Sequence, residues 1–151
     1  MKLPFEEWIE SQRLSSTSRE LLVESVKCYR ANAYRASFMM SYLGFLSEVR
    51  AHILSAKIPS AFTQSDWSGI RSRLQNDESW DAEVYQAIRR KRPAEIFRIS
   101  DDLRGQVEYW KNRRNDCAHA KDNQIGSPHI ESFWMFLESN LAKFVVDGSQ
   151  E

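Results

Sequence analysis

The chain has 151 residues, equal numbers of basic and acidic side chains, and a formal net charge of zero. That length suits one domain with its own buried core; a single domain over 1–151 is expected, with a polar tail from about residue 147. Neutrality excludes a global basic field that draws in nucleic acid, so any RNA contact has to come from local patches.

Met1-Lys2-Leu3-Pro4-Phe5-Glu6-Glu7-Trp8 is too acidic, and its apolar run too short, for a signal peptide. Thr17 and Glu20 form a capping-box pattern that opens a helix. Leu21, Leu22, Val26 and Tyr29 follow at helical spacing. The pattern continues through Tyr34, Phe38, Tyr42, Phe45, Val49 and Ile53 to Lys57, and Pro59 marks its end. It reads as one long helix, or as two joined near Ala31-Asn32. Ser65 or Asp66 caps a short helix carrying Trp67, Ile70 and Leu74. Asn76 or Asp77 starts another, with Trp80, Val84, Tyr85 and Ile88, which runs into Arg89-Arg90-Lys91-Arg92-Pro93. Cations there suit a helix C-terminus. Ser100 caps a helix with Leu103, Val107 and Trp110 on one stripe. After the polar turn Lys121-Asp122-Asn123-Gln124, Ser127 and Pro128 give an N-cap and first-turn signal. The last helix carries Ile130, Phe133, Trp134, Leu137, Leu141 and Phe144.

Five glycines and four prolines are few for a β-rich chain. The predicted fold is therefore an all-α bundle of five or six helices. No apolar stretch approaches transmembrane length, so no membrane association is expected. Cys28 and Cys117 lie far apart and form no framework. They read as reduced thiols in a cytoplasmic protein.

Chemistry concentrates in Tyr109-Trp110-Lys111-Asn112-Arg113-Arg114-Asn115-Asp116-Cys117-Ala118-His119-Ala120. Arginine holds and neutralises a phosphodiester, and histidine carries a proton near neutral pH. Arg114 and His119 are separated by four residues, with Asn115 directly after the arginine. The bare spacing is a weak signal; its place at the end of an aromatic helical run adds to it, and His52 and His129 have no arginine at that spacing. On an ideal helix Asn115 and His119 share a face, whereas Arg114 and His119 are about 140° apart. One copy is thus a poor two-sided clamp, and two copies meeting along this helix bring two arginines and two histidines to one cleft.

At these residues, Arg114-Asn115-Asp116-Cys117-Ala118-His119, the chain resembles the HEPN superfamily of small all-helical proteins. The layout is also similar: a long early helix pair, a shorter middle, the motif helix and a final helix. The resemblance implies a metal-independent endoribonuclease with a composite site at a homodimer interface, without cofactor, acting as a toxin or antiviral defence effector opposed by a cognate antitoxin or inhibitor. Arg114, His119 and Asn115 would be the catalytic residues: His119 the base or acid, Arg114 the phosphate ligand, Asn115 the orienting group. Some relatives are instead non-catalytic binding or dimerisation modules, which is the alternative. Two positions depart from the family pattern. Ala120 stands where glycine often follows the histidine, and Lys121 where some members carry a modified tyrosine.

Arg113 reads as a second phosphate contact or a solvated charge. Arg89, Arg90, Lys91 and Arg92 read as a solvated helix end or a track for an RNA backbone. Asp116 reads as a surface group or salt-bridge partner. Cys117 and His119 have no second ligand pair in sequence, so no metal site is expected. His52 and His129 read as structural, Trp110, Phe133 and Trp134 as core or dimer seam, and Cys28, Met39 and Met40 as core. Glu48, on the long helix, could face the motif.

Overall fold

The chain opens with a helix that is not among those expected from the sequence: α1, Pro4–Ser11. Phe5, Trp8 and Ile9 stand at helical spacing, but its eight residues make only about two turns. Pro4 needs no N–H partner in the first turn, and the N–H of Leu3 donates to Glu6 Oε1 at 2.8 Å. Phe5 and Ile9, one turn apart, are both 2% exposed. Phe5 stacks on Trp134, ring centroids 4.5 Å apart.

The computed structural model describes residues 1–119 and 124–146; the expected turn at 121–123 and the tail from 147 lie outside the described residues. Within them the architecture is all-α, with seven α-helices and a 3₁₀ turn. One isolated antiparallel bridge joins Phe97 to Val146. The count exceeds the expected five or six because α1 is added.

The long apolar run divides into α2, Ser16–Arg30, and α3, Tyr34–Ser55. Asn32 breaks it with φ of 60°, a conformation asparagine tolerates better than most residues. The N–H of Ala33 then closes on Cys28 O at 2.8 Å. The cap of α2 is Ser15 and not Thr17: Ser15 Oγ accepts from the Ser18 N–H at 3.2 Å. α3 is the axis of the molecule and packs against α2, α6, α7, α5 and α4. It can do so because small residues alternate with large ones. A Cβ on Gly44 would lie 2.7 Å from Leu22 Cδ2, so only glycine lets α2 approach this closely. Buried Ser18, Ser37 and Ser41 satisfy their hydroxyls on Ser47 Oγ, Ser25 O and Ser37 O.

α4, Gln64–Leu74, is capped by Thr63 Oγ1, before the Ser65 or Asp66 expected. α5, Trp80–Arg89, begins after a turn in which Asn76 Oδ1 accepts from the Glu78 and Ser79 N–H groups. α6, Asp101–Ala118, has the expected cap, Ser100 Oγ accepting from Leu103 N–H at 3.0 Å. α7, Ser127–Asn140, takes Gly126 as its cap, which puts Ser127 inside the first turn. Phe38, Phe45 and Phe133, each at most 1% exposed, form the centre of the core with Trp110 and Phe136 around them. Each such ring contributes about 1.5–3 kcal/mol by burial. Met39 and Met40 are only half-buried at its margin. No helix among the described residues is long and apolar enough to cross a membrane.

Candidate functional site

The geometry of α6 decides which motif residues meet. Leu103, Val107, Trp110, Arg114 and Cys117 recur at the three- and four-residue steps of one helical stripe. That stripe faces α3 and α5, so Arg114 points inward although it is charged. Its Nη2 donates to Asp81 Oδ2 at 3.2 Å, and its Nη1 to Asn115 Oδ1 at 3.3 Å. Its Nε is buried with no hydrogen-bond partner among the described residues. Asp81 stands in the first turn of α5, where the helix dipole favours a carboxylate. The arginine therefore has one long bond to α5, one to its own neighbour on α6, and a spare donor.

Around it lies a small cavity of about 70 Å³ lined by Tyr42, Asp81, Tyr85 and Lys111 as well as Arg114. Lys111 Nζ lies 4.6 Å from the Tyr85 ring centre, and the Arg89 guanidinium 5.7 Å from it. Both are within cation–π range. Burial pushes the Tyr42 hydroxyl well above its ordinary pKa, and the positive charge of Arg114 only partly offsets this. Tyr42 therefore stays a neutral phenol here. Two cations, Lys111 and Arg114, line the cavity against one carboxylate, Asp81, which leaves a small positive excess there.

His119 is elsewhere. It is the C-cap of α6, its backbone N–H donating to Asn115 O at 3.0 Å, and its side chain is exposed. Arg114 faces in and His119 faces out, as the angle between them on a helix requires. Asn115 bonds to both, accepting from Arg114 through its side chain and from the His119 N–H through its carbonyl.

The remaining expected contacts scatter. Arg113 donates through Nε to Asp116 Oδ2 at 2.9 Å and lies over the Tyr109 ring at 4.7 Å. It is neither a bare charge nor adjacent to Arg114's cleft. Asp116 is 5% exposed and is a salt-bridge partner rather than a surface group. Cys117 is buried, and burial pushes its thiol up to about 11, so it stays protonated and unreactive. The basic run divides: Arg89 turns to Tyr85, Lys91 to Asp101 Oδ1 at 2.8 Å, and Arg90 to the Phe62 ring.

His52 is structural: Nδ1 meets Phe144 O at 2.6 Å and Nε2 meets Glu48 Oε2 at 3.0 Å. Glu48 does not face the motif. Its Oε1 accepts from the Ser15 N–H at 3.0 Å and so secures the start of α2. His129 Nδ1 accepts from the Gly126 N–H at 3.2 Å and caps α7. Sequence reasoning missed Asp81 and Arg104. Asp81 had one available signal, an acidic residue at a helix start, but its pairing spans 33 residues. Among the described residues no group of three or more histidine, cysteine or acidic side chains is arranged to hold a metal ion. No protein-family model matches the chain, and no curated protein or solved structure matches it either.

Proposed function

We propose that the chain is a metal-independent endoribonuclease of the HEPN type that works as a homodimer, with Arg114, Asn115 and His119 in the site and a toxin or defence role held in check by an inhibitor. The observation that carries the reading is the state of Arg114. A guanidinium with two long bonds and an unpaired buried Nε can regroup onto a phosphate without losing a tight network. Lys111 adds positive charge beside it. His119 is exposed one helical turn from Asn115 and can reach a substrate lying across the end of α6.

In this reading the ribose 2′-hydroxyl attacks the adjacent phosphorus. One His119 takes the hydroxyl proton, and the second copy's histidine protonates the departing 5′-oxygen. Arg114 replaces Asp81 with two phosphate oxygens and balances the charge that develops on them. The products are a 2′,3′-cyclic phosphate and a 5′-hydroxyl. Two copies are required because a single α6 turns Arg114 and His119 to different sides.

The Asp81–Arg114 pair favours a second reading, a non-catalytic binding module in which the pair is a permanent brace. RNA cleavage in EDTA separates the two. The nuclease reading expects cleavage by the wild-type chain and loss of it in His119→Ala. Equal cleavage by both would remove His119 from the mechanism. Absence of cleavage on any RNA would leave the module.

A further inference from the structure

On the far side of α5 the structure holds a second cationic cavity, which owes nothing to the motif. Helix α5 ends at Arg89, and Arg90 is already extended, with φ of −60° and ψ of 126°. Side chains along an extended chain alternate between sides. Arg89 and Lys91 turn away to Tyr85 and Asp101. Arg90 and Arg92 line a cavity of about 240 Å³ between α4 and α5. Arg73, from the last turn of α4, is the third arginine on its rim. The floor is apolar: Ile70, Leu74, Ala87 and Ile96 are all buried. Glu83, Gln86 and Ala87, the α5 residues that line this cavity, are about 120–160° around the helix axis from Asp81 in the Arg114 cleft. The two cavities thus occupy opposite faces of α5.

The charge on this cavity is not balanced from within. Three arginines line it against one carboxylate, Glu83, which lies 3.5 Å from Arg73 Nε. Arg90 lies over the Phe62 ring, 5.7 Å from its centre. Neither Arg90 nor Arg92 forms an ion pair with a carboxylate among the described residues. Three positive charges and one negative leave a formal charge of +2 around the cavity. A phosphomonoester carries about −1.5 to −2 near neutral pH, and the planar guanidinium fork fits its oxygens. The cavity is smaller than the roughly 300–1,000 Å³ of sites that enclose whole drug-sized ligands. It can enclose a phosphate and leave the rest of the molecule at the rim, beside Gln86.

We infer that the Arg73–Arg90–Arg92 cavity is a phosphomonoester-binding site, separate from the Arg114 cleft and independent of whether the chain cleaves RNA. Its ligand is free phosphate or a nucleotide 5′-phosphate.

Calorimetric titration of the full chain at constant ionic strength tests this, with inorganic phosphate, adenosine 5′-monophosphate and adenosine as probes. Saturable binding of one phosphate or nucleotide per chain is expected, with none for adenosine. A nucleotide that binds more tightly than phosphate identifies the 5′-phosphate as the source, and equal affinities identify free phosphate. Arg92→Ala, at an exposed position, should weaken binding roughly tenfold or more. Arg90→Ala/Arg92→Ala should abolish it, and Arg114→Ala should leave it unchanged. Glu83→Gln, which releases Arg73, should tighten it several-fold. The inference is overturned if phosphate shows no saturation up to about 10 mM, if the Arg92→Ala and double variants bind as the wild type does, or if Arg114→Ala is the variant that loses binding.

Discussion

The two ends of α6 carry arginines in opposite states. Near its start Arg104 is 8% exposed and makes five hydrogen bonds, to Ile88 O, Ile99 O, Phe97 O, Asp101 and Glu95. It ties the end of α5 and the whole 95–101 segment to one point. Near the helix end Arg114 has two bonds of 3.2 and 3.3 Å and a buried Nε left over. A guanidinium offers five N–H donors. Where folding uses all of them, the residue is a staple. Where it leaves some unused beside a cavity, the residue retains capacity for another anion. Residue type and helix are the same; what surrounds each guanidinium assigns the role.

The largest effect is expected at the staple. Arg104→Met keeps much of the side-chain stem but strands three backbone carbonyls and removes the partner of Glu95. It should cost about 3 kcal/mol in urea unfolding. A loss below about 1 kcal/mol would place Arg104 with ordinary surface pairs and remove the contrast.

His52 gives an intermediate case, a staple whose charge depends on pH. Burial lowers its pKa, but the Glu48 carboxylate and the Phe144 carbonyl together outweigh this and raise it above 6.5. Both ring nitrogens face acceptors, so the doubly protonated ring fits best. Burial raises the Glu48 carboxyl in turn, and bonds from His52 and Ser15 outweigh that and lower it below 4.5. A raised histidine contributes stability that is complete below 6.5 and lost as pH rises through its folded value. A lowered carboxylate contributes above 4.5 and loses this as pH falls. The urea midpoint should therefore drop as pH rises above 6.5 in the wild type, and this drop should be absent in His52→Gln. An identical drop in both would assign the pH dependence to other groups.

The smallest effect on stability is expected at Arg114. Its pair with Asp81 is partly exposed, 29% and 26% for the two side chains, and such pairs contribute at most about 1 kcal/mol. Arg114→Met should therefore unfold within about 1 kcal/mol of the wild type while losing RNA cleavage entirely. Destabilisation as large as that of Arg104→Met would make Arg114 a second staple and favour the non-catalytic reading.

Local pattern was enough for the helical class, the Ser100 cap, the inward stripe of α6 and the aromatic face of α7, because each depends on residues within a turn or two of one another. It left open one long helix or two joined near Ala31-Asn32, and the left-handed backbone of Asn32 decides for two. The missed α1 carries Phe5, Trp8 and Ile9 at helical spacing over only about two turns, and its packing partner Trp134 lies far along the chain. The caps at Ser15, Thr63 and Gly126 were displaced by one to three residues, since several neighbouring polar residues compete and packing selects among them. The motif residues were legible as types and spacing, and the angle between Arg114 and His119 followed from helix geometry alone. Tertiary structure alone decided what each charge faces. It set Asp81 against Arg114, turned Glu48 to the start of α2, and sent Arg89, Arg90 and Lys91 to Tyr85, Phe62 and Asp101 respectively. Hydrogen bonding and ion pairing act over a few ångströms in space, and separation along the chain does not reveal which groups come that close.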